Sequence, residues 1–174
     1  ITKDEPKSLL AESFRTARIN LQYLNPDAAR QVIGFTSSTS GEGKTFCAAN
    51  LATVMAMSGK RTIIIDSDLR RPKLGETMEM PEGEGLSTYL IGESTLEQVI
   101  RRCDIPGLDV ITAGPIPPNP LELVESERMK ELFRILRGRY DHIVVDASPM
   151  GLVSEFKVLV QHIDVTLYVV RQGY

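Results

Sequence analysis

The amino-acid sequence predicts an α/β fold, with a mostly parallel central sheet, helices on both faces and one more helix ahead of the first strand. Three observations predict it. Short apolar, β-branched runs alternate with helix-patterned stretches, which is how parallel strands and their crossover helices are written. The runs Thr62-Ile63-Ile64-Ile65 and Ile143-Val144-Val145 show no polar alternation, as expected of strands buried on both faces. A Ser/Gly-rich turn, residues 37–43, joins one apolar run to a helix.

Leu10, Phe14, Ala17, Leu21 and Leu24 recur at helical spacing and predict an amphipathic helix over 6–24. Asn25-Pro26-Asp27 ends it, because the residue before a proline is pushed out of helical geometry. A strand follows at 32–36, then the Ser/Gly-rich loop, then a helix at 44–58 stopped by Gly59. The strand at 62–65 runs into a polar, basic segment, 66–73. Residues 75–92, rich in Gly, Glu and Met, read as loop with a short helix at 86–91. A second short helix is expected at 95–102 and a strand at 108–112. Four prolines between Gly114 and Pro120 demand an irregular turn. One long helix at 121–137, a strand at 142–145, a helix at 154–162 and a fifth strand at 165–170 complete the chain. With 174 residues and neither repeat nor low-complexity linker, the chain reads as one domain.

Ser38-Thr39-Ser40-Gly41-Glu42-Gly43-Lys44-Thr45 carries the strongest chemical signal. Set between a strand and a helix, it has the context of a phosphate-binding P-loop. Gly41 and Gly43 let backbone N–H groups turn inward toward phosphate oxygens, and the next helix adds its positive end. Lys44 can reach the β- and γ-phosphates of ATP, and Thr45 can place its hydroxyl on Mg²⁺. The fold class is therefore that of P-loop NTPases, although Ser38 stands where the usual motif has Gly. Residues 1–30 then form an N-terminal helix and 31–174 the nucleotide-binding core. Ser40, Gly41, Glu42, Gly43, Lys44, Thr45 and Phe46 are the candidate nucleotide-binding residues.

Asp66 and Asp68 stand at the end of the second strand and Asp146 at the end of the fourth. Ligands of open parallel sheets sit beyond the carboxyl ends of the strands, so all three carboxylates should converge near Thr45. Magnesium needs one or two of them, with phosphate and water completing its shell. A remaining carboxylate can take a proton from an attacking hydroxyl. The competing reading makes these aspartates turn or helix caps. It is weakest for Asp146, since an apolar strand ending in Asp is the Walker B pattern, and strongest for Asp68. Arg70-Arg71-Pro72 follows at once, either as cations for a phosphate, a neighbouring subunit or an acidic substrate, or as a solvated loop.

Lys and Arg total 20 against 23 Asp and Glu, a net charge of −3 that argues against a general nucleic-acid binder. Cys47 and Cys103 are too few for a disulfide scaffold and lack metal-site spacing, in keeping with a reduced cytosolic setting. No apolar run approaches the ~18 residues of a membrane span.

Taken together, these motifs resemble the bacterial tyrosine kinases of capsular and exopolysaccharide biosynthesis. Ser40 to Thr45 resembles that family's Walker A. Ile63 to Pro72 resembles its second acidic motif, Walker A′. Ile143-Val144-Val145-Asp146-Ala147-Ser148-Pro149 resembles its Walker B, with Ala147 and Met150 as departures from Asp-Thr-Pro-Pro. Gly114-Pro115-Ile116-Pro117-Pro118-Asn119-Pro120-Leu121-Glu122-Leu123 is similar to a further family segment. Glu12, Arg15 and Arg18 match its Glu-x-x-Arg-x-x-Arg pattern, which implies contacts in a ring of subunits; Ile19 on the same polar face agrees. The resemblance implies transfer of the γ-phosphoryl of ATP to tyrosines of a C-terminal tail, in trans. Lys44 would bind phosphate, Thr45, Asp66 and Asp146 would handle Mg²⁺, and Asp66 or Asp68 would assist the attacking hydroxyl. A transmembrane activator segment, fused or separate, is the implied partner, with the domain working at the inner face of the plasma membrane. Running from Ile1 to Tyr174, the chain reads as a kinase core without most of its acceptor tail.

Two rival functions share these motifs. A partitioning or positioning ATPase of the ParA/MinD type carries a signature lysine five residues before Lys44, where this chain has Thr39. The other is a non-catalytic scaffold that binds nucleotide only to assemble with a polysaccharide-polymerising membrane complex; intact Lys44, Asp66 and Asp146 argue against it. Tyr23, Tyr89, Tyr140 and Tyr168 are read as packing residues. Tyr174 is the one candidate phosphoacceptor, and neither His142 nor His162 reads as catalytic.

Overall fold

The computed structural model describes residues 2, 7–24, 30–150 and 154–173. Helix α1, Leu9–Leu24, precedes strand β1, Gln31–Ser37, and helix α2, Lys44–Met57. Strand β2, Thr62–Asp66, leads to three short helices, α3 at Leu74–Thr77, α4 at Leu86–Ile91 and α5 at Leu96–Val99. Strands β3, Arg101–Arg102, and β4, Leu108–Ile111, are followed by helices α6, Pro120–Glu125, and α7, Glu127–Arg139. Strand β5, His142–Asp146, helix α8, Glu155–Leu159, a 3₁₀ turn and strand β6, Val165–Val169, close the described chain.

The strands form one sheet in the order β3-β4-β2-β5-β1-β6, parallel except for β3. Side chains alternate between faces along each strand. Ile63, Ile65, Ile111, Ile143 and Val145 point into a core built with α4 to α8. Ile33, Phe35, Ile64, Val110 and Val144 point the other way, into a core with α1, α2 and α3. Both faces are covered, which is why the central runs need no polar alternation. Helix α2 is apolar almost all round because it lies between the sheet and α1.

The expected α/β architecture is present, with differences that have physical causes. Helix α1 starts at Leu9, and residues 3–6 of the chain lie outside the described residues. Its inward stripe is Ala11, Phe14 and Leu21, while Leu10 is exposed; α1 seats on small residues of α2, where an alanine approaches closer than a leucine can. The helix expected at 95–102 stops at Val99. Ile100 turns extended, and Arg101 and Arg102 pair antiparallel with β4. A charged two-residue strand is a common way to end a sheet without inviting further pairing. The long helix expected at 121–137 is two helices. Ser126 has extended geometry, its hydroxyl donates to Leu123 O at 2.7 Å and it accepts from Met129 N at 3.3 Å, so it ends α6 and caps α7. Tyr89 and Tyr140 are buried as expected, but Tyr23 and Tyr168 are exposed. His142 is buried and His162 stacks on Phe133 at 4.7 Å; burial lowers the pKa of both imidazoles, which keeps them neutral in structural roles.

One close backbone approach holds the segment between α3 and α4. Leu86 N and Ser87 N donate to Thr112 O and Ala113 O at 2.7 and 2.9 Å, which lays Gly85 on Gly114. A Cβ at Gly85 would collide with Gly114 N and Thr112 O. Both are backbone atoms and cannot swing aside. Gly85→Ala is therefore expected to lower stability by about 1–3 kcal/mol, read as a lower urea midpoint with unchanged m-value. A midpoint equal to the parent's would show that the two loops part without cost.

Candidate active site

The site is assembled at the carboxyl ends of β1, β2 and β5. The loop after β1 turns through Gly41 and Gly43, whose φ values of 88° and 96° are left-handed and strained for any other residue. Glu42 folds back so that its carboxylate accepts from Thr39 N at 2.9 Å. That backbone donor is the main reason the Glu42 pKa lies below the ordinary carboxylate value. Ser37 Oγ donates to Thr39 O at 2.7 Å, and Ser38 Oγ shares a 2.5 Å hydrogen bond with the hydroxyl of Tyr168 on β6. The loop is thus pinned at its base and from a neighbouring strand, with Ser40 and Gly41 exposed at its tip.

Helix α2 begins immediately beyond the loop and aims its first residues at β5. Lys44 is buried, with Nζ 3.8 Å from Asp146 Oδ1. Thr45 Oγ1 donates to Asp146 Oδ2 at 2.6 Å. Phe46 lies in the same first turn of α2, and its ring meets Phe14 of α1 edge-on at 6.3 Å.

Sheet register does the rest. Asp146 pairs across to Phe35 on β1 and to Asp66 on β2, so two carboxylates end adjacent strands at the same level. Both are fully buried. Burial is the first cause raising the Asp66 pKa, to about 8, and the charge of Asp146 is the second. Burial also raises Asp146, against the pull of Lys44. Asp146 Oδ1 is buried without a hydrogen-bond partner. Two buried carboxylates with an unfilled acceptor are what a divalent cation would satisfy.

The three aspartates do not converge equally. Only Asp146 bonds to Thr45 among the described residues. Asp66 also serves as a cap: Oδ2 accepts from Lys73 N and Leu74 N at 3.2 and 3.0 Å, and Oδ1 from Asp68 N at 3.2 Å. Asp68 Oδ1 accepts from Arg70 N and Arg71 N at 3.3 and 3.1 Å, the turn-capping role that competes with a chemical one. Its charge still raises the pKa of both Asp66 and Asp146. Among the described residues no three His, Cys, Asp or Glu side chains group closely enough to hold an ion unaided. That suits Mg²⁺, which keeps water and phosphate oxygens in its shell. ATP and Mg²⁺ are the ligands this loop and carboxylate pair are built for.

Known proteins share this arrangement. A family model described as an AAA domain matches residues 30–167. The tyrosine-protein kinase YwqD of Bacillus subtilis is 38% identical over 99% of this chain and 73% of its own length. The chain belongs to the bacterial tyrosine-protein kinases. The kinase domain of Escherichia coli ETK superposes with a TM-score of 0.95 at 35% identity, over 99% of this chain and 68% of that one. The chain spans 23% of the whole Escherichia coli kinase. The septum site-determining protein MinD of Pyrococcus horikoshii, at 23% identity over 80% of this chain and 57% of that one, shares the fold with a TM-score of 0.69.

In this kinase, three site features escape sequence reasoning. Tyr168 bonds the phosphate loop, and alternation along a half-exposed edge strand is its only signal. Glu155 on α8 is buried and binds Arg70 at 2.6 Å, so Arg70 is anchored and not a free loop cation. Nothing local marks Glu155, since its partner lies 85 residues away. Asp66 as a cap for α3 is hidden because that helix is one turn long. On α1, Glu12 and Arg15 pair at 3.0 Å as their spacing predicts, and Arg18 Nε is buried without a hydrogen-bond partner. Tyr174 lies outside the described residues. Among those described, no helix is long and apolar enough to cross a membrane.

Proposed function

We propose that the chain transfers the γ-phosphoryl of Mg-ATP to tyrosine hydroxyls, with a neighbouring subunit's C-terminal tail as main acceptor, and so regulates capsular or exopolysaccharide synthesis and export. The observation that carries this reading is the pairing of Asp66 with Asp146 beside Lys44 and Thr45. The loop N–H groups and Lys44 hold the β- and γ-phosphates. Thr45, Asp146 and Asp66 would hold Mg²⁺, which would supply positive charge against the negative charge building on the phosphates. The tyrosine oxygen forms the new P–O bond as the bond to the bridging oxygen of ADP breaks, and Asp66 or Asp68 takes the hydroxyl proton. Most of the rate comes from position and charge.

Phosphotyrosine is the deciding readout. The chain, given Mg-ATP and a tyrosine-bearing tail with an activator segment, should gain it by mass spectrometry. ATP hydrolysis without phosphotyrosine would remove the assignment. A MinD-type switch has only the shared fold in its favour, and Thr39 stands where its lysine would reach a partner's nucleotide. A nucleotide-binding assembly scaffold would share the carboxylate pair, and phosphotyrosine in that same assay separates it from a kinase.

The chain's partners in this reading are further copies of itself, protein substrates bearing tyrosine, and a transmembrane activator at the inner face of the bacterial membrane. Support for a ring comes from α1. Ile19 and Tyr23 are exposed beside Glu12 and Arg15, and the buried Arg18 Nε still needs an acceptor. Arg15→Ala with Arg18→Ala is expected to lower the oligomer mass in size-exclusion light scattering. An unchanged mass would remove the ring.

A further inference from the structure

Beside the phosphate site lies a groove of about 710 Å³, within the size range of ligand pockets. Its wall on one side is the segment between α3 and α4; on the other it is the end of β4 and the Gly114-Pro115-Ile116 turn. Met80 and the well-exposed Ile116 supply apolar surface, Glu76 and Glu82 supply charge, and Asp66 of the phosphate site is part of the lining. Among the described residues no lining side chain is basic; Arg71 and Lys73 stand outside the groove.

From this we infer that the groove is the acceptor-peptide site, and that it selects tyrosines with a lysine or arginine two or three residues away. The inference rests on the tyrosine-kinase reading above. Three observations support it. The first is position. The phosphate loop follows β1, and the sheet order places β5 and then β2 and β4 beyond it. The groove therefore lies about 10–14 Å along the sheet from the loop, at ~4.8 Å per strand, with Asp146 between them and Asp66 at its near edge. That is where an attacking hydroxyl must come from if the phosphates rest on the loop. The second is that the groove is preformed. The Arg101 guanidinium donates to Pro81 O, Glu84 O and Thr112 Oγ1 and so straps one wall to the other. The backbone bonds of Leu86 and Ser87 to the segment after β4 close the same seam. These bonds hold the Arg101 guanidinium against neutral carbonyl and hydroxyl oxygens of the walls, and it is not among the residues that line the groove. The third is chemical complementarity. An aromatic ring needs apolar walls close to Asp66, and Glu76 and Glu82 leave negative charge that only a cationic flank would answer. The Gly-Pro-rich turn then has a role as the groove's outer lip.

Three peptides with one tyrosine each, flanked at two residues on either side by alanine, lysine or glutamate and assayed with Mg-ATP and the activator segment present, test the inference. The parent chain should favour the lysine peptide over the glutamate peptide roughly tenfold in kcat/KM, mainly through KM, since each of the two flanking charges is worth at most about fivefold. Glu76→Gln with Glu82→Gln should bring that ratio close to one. A ratio that survives the double substitution overturns the inference. So does a change in the KM for ATP in place of the peptide's, which would put nucleotide in the groove. If the parent phosphorylates the alanine peptide but does not prefer lysine, the groove fails and the kinase reading stands. If it phosphorylates none of the three, the kinase reading fails and takes the groove with it.

Discussion

Lys44→Ala is expected to reduce tyrosine phosphorylation at least about a hundredfold, the usual cost of removing one preorganised charge from a polar transition state. Geometry sets this expectation. Lys44 is the first residue of α2, buried, and 3.8 Å from Asp146. That distance is too long for a committed ion pair and leaves the ammonium available to phosphate. A structural lysine would instead sit in full contact with its carboxylate. Mass spectrometry of tail tyrosines after incubation with Mg-ATP reads the result. Retention of even a tenth of the parent's phosphotyrosine would mean that another cation neutralises the phosphates. Arg70 is the obvious substitute, but its guanidinium is held by Glu155 at 2.6 Å. Arg70→Ala combined with Lys44→Ala would separate the two.

How much of this is legible in the sequence depends on the range of the interaction. The phosphate loop is local: eight successive residues, a strand before and a helix after, and Gly41, Gly43, Lys44 and Thr45 stand as that pattern expects. The strand runs are legible because complete burial leaves a complete apolar signature, as at Ile63 to Ile65. Ser126 escapes because one serine inside a helix-patterned stretch reads as a tolerated residue until its capping bonds are seen. Arg101 reads as helix because its three hydrogen-bond partners, at 81, 84 and 112, are not neighbours in sequence. Leu10 and Ala11 exchange places because a helix packed on small residues buries its small side chains, and periodicity weighted by hydrophobicity favours the larger one. The carboxylates fall at the expected strand ends, but register decides their roles. Asp66 opposes Asp146 residue for residue, while Asp68, two positions further, turns into backbone N–H groups. Motif spacing contains no term for that difference.

Asp146→Asn is expected to have the second large effect, with a signature in stability as well as in activity. Kinase activity should fall at least about a hundredfold, because Thr45 and Mg²⁺ lose their carboxylate. Stability should respond through Asp66. Both folded-state pKa values are raised, Asp66 to about 8 and Asp146 to about 6, with burial the first cause in each. A raised carboxyl pKa means that the folded chain keeps a proton the unfolded chain has already released. Stability from this source is complete below the ordinary carboxylate value near 4 and is lost as pH rises through the folded-state values. The metal-free parent should therefore be less stable at pH 8 than at pH 6, when unfolded by urea in EDTA. Asparagine at 146 keeps an acceptor for Thr45 but removes the charge that Asp66 feels across the strand pair. The Asp66 pKa then falls, and the loss of stability between pH 6 and pH 8 becomes shallower than in the parent. Mg-ATP should raise the parent's urea midpoint at pH 8 and leave the variant's nearly unchanged. Equal slopes in parent and variant would mean that the two carboxylates do not sense each other, and the shared cation site would lose its physical basis.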